Sequence, residues 1–563
     1  MNRKFWKVTV ARRMRSLMLA IVLAASPVAA LADSLDPSPE QLPNAIKVKG
    51  PRPKSNPEVV SPAATTLPAE LDGLQAPAPM ALPTTPSQVR IVDYRPLRLN
   101  QVEKLVEVNS PQLKAIASQV EQAKSNLRAQ ISAWYPTLNL NTSGFPSRDF
   151  GSRTTNYKNT LATLNNPNYQ NTYKESQIYG AGVSLKLNWD LINPQRVPQI
   201  AAARDQFEKA KNQYLITLRE LRLQVASAYF LLQNSDDQVR IGKSAVQSSS
   251  VSLRDARARL QAGVATKLDV MEAETQLARD QQKLTDGMLQ QALARRELAR
   301  LLDLPQNVTP TAADPSTLLG VWQPSLQESI VAAYAFREEL SNLILDVSIA
   351  NSNANNALGN IQPTLSIFSS SQWGKLFNNA SVSDPANTDS VIETLTQQIG
   401  LNLKWSLFDG GKSAAQARQQ RQLATENTYK FSTQRDQIRY DVEQAYYTLQ
   451  AQIRNLITTS RQVLSTRESL RLARLRFQAG VGTQRNVVDS QRDATTAEVE
   501  YSSSVTRYNT NVAQLRRRTG LDQVLRCTPA KLPALPPNKD PITDVPVIPV
   551  PTNSPCLVQA VSR

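Results

Sequence analysis

The chain has 563 residues and a formal net charge of +17, and glycine is scarce, with 18 residues. It contains no histidine, so metal sites and acid–base catalysis lose their commonest ligand and proton carrier, and a Ser/His/Asp set is excluded. We therefore expect no enzymatic activity, no cofactor and no metal. The positive charge is dispersed, and the tight run Arg516–Arg518 favours a solvated helix end over a nucleic-acid site.

Residues 1–32 are predicted to form a signal peptide. Six basic residues precede an apolar run from Leu17 to about Ala25, and Ala30–Ala32 provides an A-x-A cleavage site. The run is too short for a membrane anchor, and no cysteine follows it that would carry a lipid. Removal of this segment lowers the net charge to about +11.

A proline-rich segment, 33–96, follows the signal peptide. It has little hydrophobic periodicity and is predicted to be a flexible N-terminal extension. The role of this extension is not set by its sequence.

Helical stretches near 100–132 and 326–358 run into Pro136 and Pro363, where a helix is expected to give way to extended chain. We predict strands near 136–143, 181–191, 363–370 and 398–408, with polar loops at 144–178 and 371–395. Apolar side chains alternate with polar ones along these strands, as in outer-membrane barrels, and the residues expected to face lipid are Leu185, Leu187, Trp189, Leu401, Leu403 and Trp405. The alternative is an amphipathic sheet packed on a soluble core.

The stretch LKWSLFDGGKSAAQ at 403–416 looks like the end of a phosphate-binding loop. Ser406 stands where such a loop needs a glycine, and the preceding strand alternates instead of being continuously apolar. We therefore interpret Asp409, Gly410 and Gly411, with Asn193 and Pro194 in the earlier copy, as bends from a strand into a helix.

Two long helices are indicated by apolar residues that recur every seven positions. One series runs from Leu218 to Leu260 and the other from Val442 to Phe477. Each helix is predicted to have roughly 65 residues and a length of about 100 Å, followed by a turn and a returning helix. The fold class is thus mainly α with a small β part, built from long antiparallel helical hairpins joined to four strands.

An internal repeat organises the chain. The segment RLQAGVATKLDV at 259–270 returns as RFQAGVGTQRNV at 476–487. We predict a first structural repeat at 97–307 and a second at 308–526. The remaining residues, 527–563, form a proline-rich tail that holds both cysteines; Cys527 and Cys556 could form one disulfide, but their pairing does not follow from the sequence.

Four strands are too few to close a barrel, and an open edge in lipid leaves backbone groups without hydrogen bonds. Three chains would supply twelve strands, and two would supply eight, a barrel filled by side chains. Three is the simplest symmetric closure that leaves a lumen.

These features together resemble the TolC-like outer-membrane efflux and secretion channels. The resemblance covers about 97–526 and is carried by LKWSLFDGGKSAAQAR, its partner LNWDLINPQRVPQIAAAR, and the turns RLQAGVAT and RFQAGVGT. It implies a homotrimer with a 12-stranded transmembrane β-barrel in outer-membrane lipid and a long periplasmic α-barrel. Its implied partners are a periplasmic adaptor (membrane fusion) protein and an inner-membrane pump or ABC exporter.

The resemblance also implies roles for the two helical turns. Adaptor docking is expected at Gly263, Val264, Thr266, Gly480, Val481 and Thr483, although both glycines could serve only to turn the chain. Rings of acidic residues that narrow the closed pore are expected at Asp269, Glu272, Asn486 and Asp489. Asn486 is neutral, so one ring is missing, and Glu272 could equally be an exposed helix carboxylate.

The function that follows is a passive exit duct for efflux or type I secretion. The alternative is a structural periplasmic tether or adhesin, a coiled coil anchored by the barrel. The cargo, whether drug, metal, protein or polysaccharide, is not indicated by the sequence.

Overall fold

A computed structural model describes residues 67–91, 93–157, 170–382 and 389–521. The helices within these residues are α1 (Leu99–Asn109), α2 (Pro111–Ile131), α3 (Arg196–Gln261), α4 (Lys267–Leu301), α5 (Leu326–Phe336), α6 (Glu338–Gly359), α7 (Lys412–Gln478) and α8 (Gln484–Thr519). The strands are β1 (Asp93–Leu97), β2 (Thr137–Tyr157), β3 (Gln170–Ile192), β4 (Val308–Ala312), β5 (Thr364–Val382) and β6 (Asp389–Lys404). The predicted signal peptide and the tail with both cysteines lie outside the described residues.

The predicted fold class, mainly helical with a small β part, is confirmed. Helices α3 and α7 contain 66 and 67 residues, so each is about 100 Å long. Each turns back into a shorter helix, α4 or α8, of 35 or 36 residues. The order of two helices, two strands and a long hairpin occurs twice along the chain. No helix in the described ranges combines the length and apolar character needed to cross a bilayer.

The helical stretch predicted before each pair of strands is broken into two helices. Between α1 and α2, Ser110 leaves the helical conformation with ψ 118°, because the ring of Pro111 disfavours a helical residue before it. Between α5 and α6, Arg337 does so with ψ 116°, and its guanidinium forms ion pairs with Glu339 and Asp441. Each break re-aims the helix that leads into the strands.

A small parallel sheet joins the two halves of the chain and was not predicted. Strand β1 pairs with β4, and the hydroxyl of Tyr229 on α3 donates to the carbonyl of Leu97 at 2.9 Å. Pro96 and Pro310 interrupt these five-residue strands, and proline inside a short run hides the strand pattern. A buried apolar cluster surrounds this sheet. It includes residues between Tyr214 and Leu232 of α3 and residues from Ala294 onwards at the C-terminal end of α4.

The described end of the N-terminal extension packs against this cluster. Leu71 and Leu74 are buried, and the side-chain amide of Asn109 donates to the carbonyl of Leu74 at 2.7 Å. Its oxygen accepts from the backbone NH of Ala76 at 3.2 Å. Two leucines of the proline-rich stretch thus occupy a hydrophobic site on the body of the protein, and flexibility of the remaining extension stays a prediction.

The second sheet contains four antiparallel strands in the order β2-β3-β5-β6. They are 21, 23, 19 and 16 residues long, about twice the predicted length. The described parts of the predicted polar loops at 144–178 and 371–395 are therefore strand, since their polar side chains are compatible with backbone pairing in water. Residues 158–169 and 383–388 of these loops lie outside the described residues. At the other end β6 stops at Lys404, so Trp405 lies just after the strand and not within it.

Candidate functional site

The four-stranded sheet has one apolar face. Cross-strand partners place side chains on the same side of a sheet, and the register pairs Leu187 with Leu138, Trp189 with Ile367, and Ile367 with Leu401. None of these residues belongs to a buried core cluster within the described chain. The sheet therefore does not pack on a soluble core, and its apolar face is open.

The residues predicted to face lipid all lie on or beside this face. Leu401, Leu403 and Trp405 are 66%, 66% and 58% exposed, and Trp189 is 40% exposed; Leu185 and Leu187 are half-buried. Along β5 the apolar residues of this face lie between Leu365 and Trp373, a span of nine residues that also contains Ser369 and Ser371. Leu187 and Leu185 pair with these two serines, and the span is close to the 9–11 residues of a tilted transmembrane strand. Lipid contact by the six residues stays a prediction.

A tryptophan at the end of each strand pair donates a hydrogen bond to the backbone just before that pair begins. The indole of Trp189 donates to the carbonyl of Trp134 at 3.0 Å, and that of Trp405 donates to the carbonyl of Ile361 at 3.1 Å. Both acceptors stand two residues before the proline that opens a strand pair. The prediction gave these tryptophans only a lipid-facing role and missed this duplicated hydrogen bond.

The predicted bend residues lie between the sheet and the long helices. Gly410 and Gly411 have φ of +70° and +82°, a backbone conformation that glycine adopts without strain. The carboxylate of Asp409 accepts from the backbone NH groups of Gly411 at 3.0 Å and Ser413 at 2.8 Å. Hydrogen bonds from Ser413 hold the pKa of Asp409 below its ordinary value. Lys412 and Ser413 thus begin a helix and form no phosphate loop.

In the first half the bend uses a different side chain. The side-chain oxygen of Asn193 accepts from the backbone NH of Gln195 at 3.1 Å, and the side-chain amide nitrogen of Asn193 donates to the carboxylate of Asp190 at 3.0 Å. Pro194 follows Asn193 and precedes α3. One asparagine therefore joins the end of β3 to the start of the helix.

The two helical turns have the same backbone geometry. Gly263 and Gly480 have φ of +76° and +77°, and the NH of Val264 bonds the carbonyl of Arg259 as the NH of Val481 bonds that of Arg476, both at 3.0 Å. This is the Schellman arrangement that ends a helix. Val264 and Val481 are 72% and 79% exposed, so each turn presents an apolar tip to solvent.

The next helix at each turn begins with threonine. Thr266 and Thr483 accept from the backbone NH of Asp269 and Asn486, each at 3.3 Å. Only the first turn completes a capping box, because the Asp269 carboxylate accepts in return from the NH of Thr266 at 2.8 Å.

The candidate constriction residues therefore have unequal surroundings. Asp269 is engaged in the helix cap, and Asn486 carries no charge. Asp489 lies 3.9 Å from Arg485 and 3.4 Å from Arg492. Glu272 is half-buried on α4. Which of them line a pore stays a prediction, and Asp489 lies near two arginines of its own helix.

Side chains near the two turns link one helical hairpin to the other. The sequence did not indicate these contacts. We call the set Ser248, Arg259, Arg474, Phe477 and Gln491 the interhairpin latch. Arg474 donates to the Gln491 side chain at 2.8 Å and also to Ser248. The Arg259 guanidinium lies 4.2 Å from the centre of the Phe477 ring and donates to the Phe477 carbonyl at 3.1 Å.

A cleft of about 780 Å³ lies between the hairpins at the latch, and polar and apolar side chains of α3, α7 and α8 line it. Gln484, fully buried at the start of α8, donates to Ser252 across it at 2.8 Å. Polar contacts of this kind separate at lower cost than a dry hydrophobic interface, because water can replace each partner. The two hairpins are thus held together by bonds that can be exchanged for water.

Comparison with protein families gives a match to the family described as "Outer membrane efflux protein" over residues 104–303 and 330–521. Outer membrane protein TolC of Vibrio cholerae is 23% identical over 435 residues, covering 75% of this chain and 90% of TolC. The alkaline protease secretion protein AprF of Pseudomonas aeruginosa is 22% identical over 356 residues, covering 62% of this chain and 72% of AprF.

Solved structures show the same fold. The outer membrane protein VceC of Vibrio cholerae matches with a TM-score of 0.57 at 15% identity, covering 75% of this chain and 96% of VceC. The outer membrane channel MtrE of Neisseria gonorrhoeae matches with a TM-score of 0.57 at 15% identity, covering 81% and 98%. The arrangement of sheet and hairpins is therefore that of outer-membrane channels.

Proposed function

This chain belongs to the outer membrane efflux protein family, and from this premise we propose that three copies enclose a passive exit path from the periplasm through the outer membrane. The chain is an outer-membrane efflux or secretion channel with a periplasmic tunnel. We propose in addition that the channel is a homotrimer and that its partners are a periplasmic adaptor protein and an inner-membrane pump or ABC exporter.

The open sheet carries this proposal. Strands β2 and β6 are its edges, and in the described chain each pairs with one neighbour only. Exposed edges in lipid cost several kcal/mol for each unpaired backbone group, so β6 of one copy must pair with β2 of the next. Three copies supply twelve strands, whose polar faces then surround a lumen.

An apolar stripe on α7 supports assembly of the helices as well. Tyr440 and Tyr447 are both 57% exposed, and Ile457 and Leu464 are 50% and 67% exposed. The two residues of each pair are seven apart, and ten residues separate Tyr447 from Ile457, which is the spacing from an a to a d position of packed helices. A single copy leaves this face uncovered, and the adjacent copy in a ring of hairpins would cover it.

The tip supplies the means of opening and of docking. The adaptor is proposed to contact Val264 and Val481, which lie on the turns of Gly263 and Gly480, while Thr266 and Thr483 hold the helix starts in place. Docking there would shift the balance between closed and open tips. The interhairpin latch favours the closed arrangement.

Single-channel recording in planar bilayers tests the duct. In the variant Ser248→Ala/Gln491→Ala, Arg474 loses both side-chain acceptors without a change of charge, and we expect larger conductance than in the unmodified channel. Ser250→Ala is the matched control, since this hydroxyl bonds only within its own helix, and it should leave conductance unchanged. Purified protein that conducts nothing in either form would favour a structural tether.

A further inference from the structure

Among its described side chains, the polar face of the four-stranded sheet carries few charges. Lys186 lies on it beside Ser370, which in turn pairs with Gln398. Lys404 lies on the same face and pairs with Thr364 of β5. Thr364 is six residues from Ser370, the β5 residue that pairs with Lys186. Among the described side chains of this face, the only other charged group is that of Asp190.

The carboxylate of Asp190 is compensated locally. It accepts from the amide of Asn193 at 3.0 Å, and the charge of Arg196 acts on it from the start of α3. The two lysines have no such compensation. Both are exposed, and neither forms an ion pair with a side chain that the structure describes. Within the described part of this face, each copy thus presents two positive charges without an ion pair.

We propose that Lys186 and Lys404 make the barrel lumen select anionic solutes, such as those that carry carboxylate, phosphate or sulfate groups. This inference rests on the proposed function, because three copies with their polar faces inward turn each lysine into a ring of three. Rings of lysine select anions in pores in the same way. The chemical class of the cargo, which the repeats and motifs leave open, is then set partly by the barrel.

The two rings act separately. Six residues of strand correspond to about 20 Å, and the Debye length is about 10 Å at 0.1 M salt. Twelve strands spaced about 4.8 Å apart and tilted by about 40° form a wall about 12 Å from the axis. Three charges at that distance enrich anions over cations at the axis about threefold in 0.1 M salt, and the preference disappears near 1 M.

At the opposite end of the path, the second hairpin carries an excess of positive charge. Between 467 and 492 the second hairpin carries six arginines and two carboxylates. One of those carboxylates, Asp489, lies between Arg485 and Arg492, and Asn486 is neutral. The tip of this hairpin therefore has an excess of positive charge, whereas Asp269 and Glu272 place carboxylates beside the turn of the first hairpin.

Reversal potentials under a KCl gradient near ~0.1 M test the proposal, with the charge-neutral latch variant Ser248→Ala/Gln491→Ala as background so that the tip does not limit the current. We expect chloride to be about threefold more permeant than potassium. Lys186→Gln and Lys404→Gln should each reduce the ratio, their combination should bring it near one, and Lys186→Glu/Lys404→Glu should favour potassium.

Lys375→Gln is the matched control. Lys375 lies on the opposite face, 5.4 Å from the Phe377 ring, and its loss should leave the ratio unchanged. A conducting channel that prefers potassium, or a preference that the double lysine variant does not change, overturns the anion proposal and leaves the duct intact. Absence of conductance in the latch variant overturns the duct and the anion proposal together.

Discussion

Glu339 lies at the break between α5 and α6 inside a group of ion pairs. Its carboxylate is 3.1 Å from Arg337 and 2.9 Å from Arg517. Burial alone would raise the pKa of Glu339, but the hydrogen bonds and charges of these two arginines outweigh it and hold the pKa at about 2, against an ordinary value of 4.5. The break between the helices is thus fixed by a carboxylate that stays ionised.

Glu339 should make stability depend on pH in a defined window. A depressed pKa contributes stability that is complete above about pH 4.5 and is lost as pH falls towards 2. Two to three pKa units correspond to about 3 kcal/mol. We expect the unfolding free energy of the unmodified protein to fall by roughly this amount across the window, relative to Glu339→Gln.

Chemical denaturation of both proteins from pH 7 to pH 2, followed by circular dichroism, measures this difference. Glu468→Gln is the control, because this exposed carboxylate pairs only with Arg471 on its own helix and an exposed pair contributes little. Identical pH profiles for the unmodified protein and Glu339→Gln would refute the role given to this cluster.

At the residue scale the sequence predicted backbone roles better than side-chain partners. The glycines at the turns and bends were found because a positive φ favours one residue type. The hydrogen bonds of Trp189 and Trp405 were not found, since the sequence gives their apolar surface but not the distance to a carbonyl. The latch between Arg474 and Ser248 joins residues 226 positions apart, and no local pattern indicates it.

At the scale of elements, the two hairpin turns differ in how the returning helix begins. Asp269 completes a capping box at the start of α4, whereas the matching Asn486 at the start of α8 contributes only its backbone NH. Loss of a capping side chain costs about 0.5–2 kcal/mol. Helix α4 therefore has a more strongly fixed start than α8.

Asp269→Ala should loosen the first turn and leave the second unchanged. We expect faster amide hydrogen exchange in the first turn of α4, by a factor that corresponds to about 1 kcal/mol. Asn486→Ala is the matched control and should change exchange at its own turn only slightly. Equal effects of the two substitutions would show that the carboxylate of Asp269 has no capping role in solution.

The length of a helix or strand was predictable only where its hydrophobic periodicity or a bend residue marked where the element ends. Heptads reach the C-terminal ends of α3 and α7, and the predicted bends at Asn193 and Asp409 mark their beginnings, so their lengths of about 65 residues were confirmed. In the sheet, apolar alternation marks only the part from Leu365 to Trp373 and its partners. Beyond it the strands carry mostly polar side chains with isolated apolar pairs, such as Leu376 with Ile392 and Phe377 with Val391, and this mixture shows no sustained alternation.

At the scale of the whole molecule, one feature demands more than one copy. The sheet has an exposed apolar face and two edges, and α7 has an uncovered apolar stripe. The sequence indicated this incompleteness through the count of amphipathic strands. It did not indicate which edges meet, because strand order depends on pairing between residues far apart along the chain.

Crosslinking between the sheet edges tests the central claim most directly. In a Cys527→Ser/Cys556→Ser background, Asn139→Cys on β2 is combined with Gln398→Cys or Asn402→Cys on β6, and outer membranes are treated with bismaleimides of graded length. Within one copy β3 and β5 separate these edges. We predict a ladder of covalent dimer and trimer that ends at the trimer and is absent from each single-cysteine variant. Crosslinking that yields only monomer at every spacer length, from protein that remains monomeric in detergent, would contradict the account.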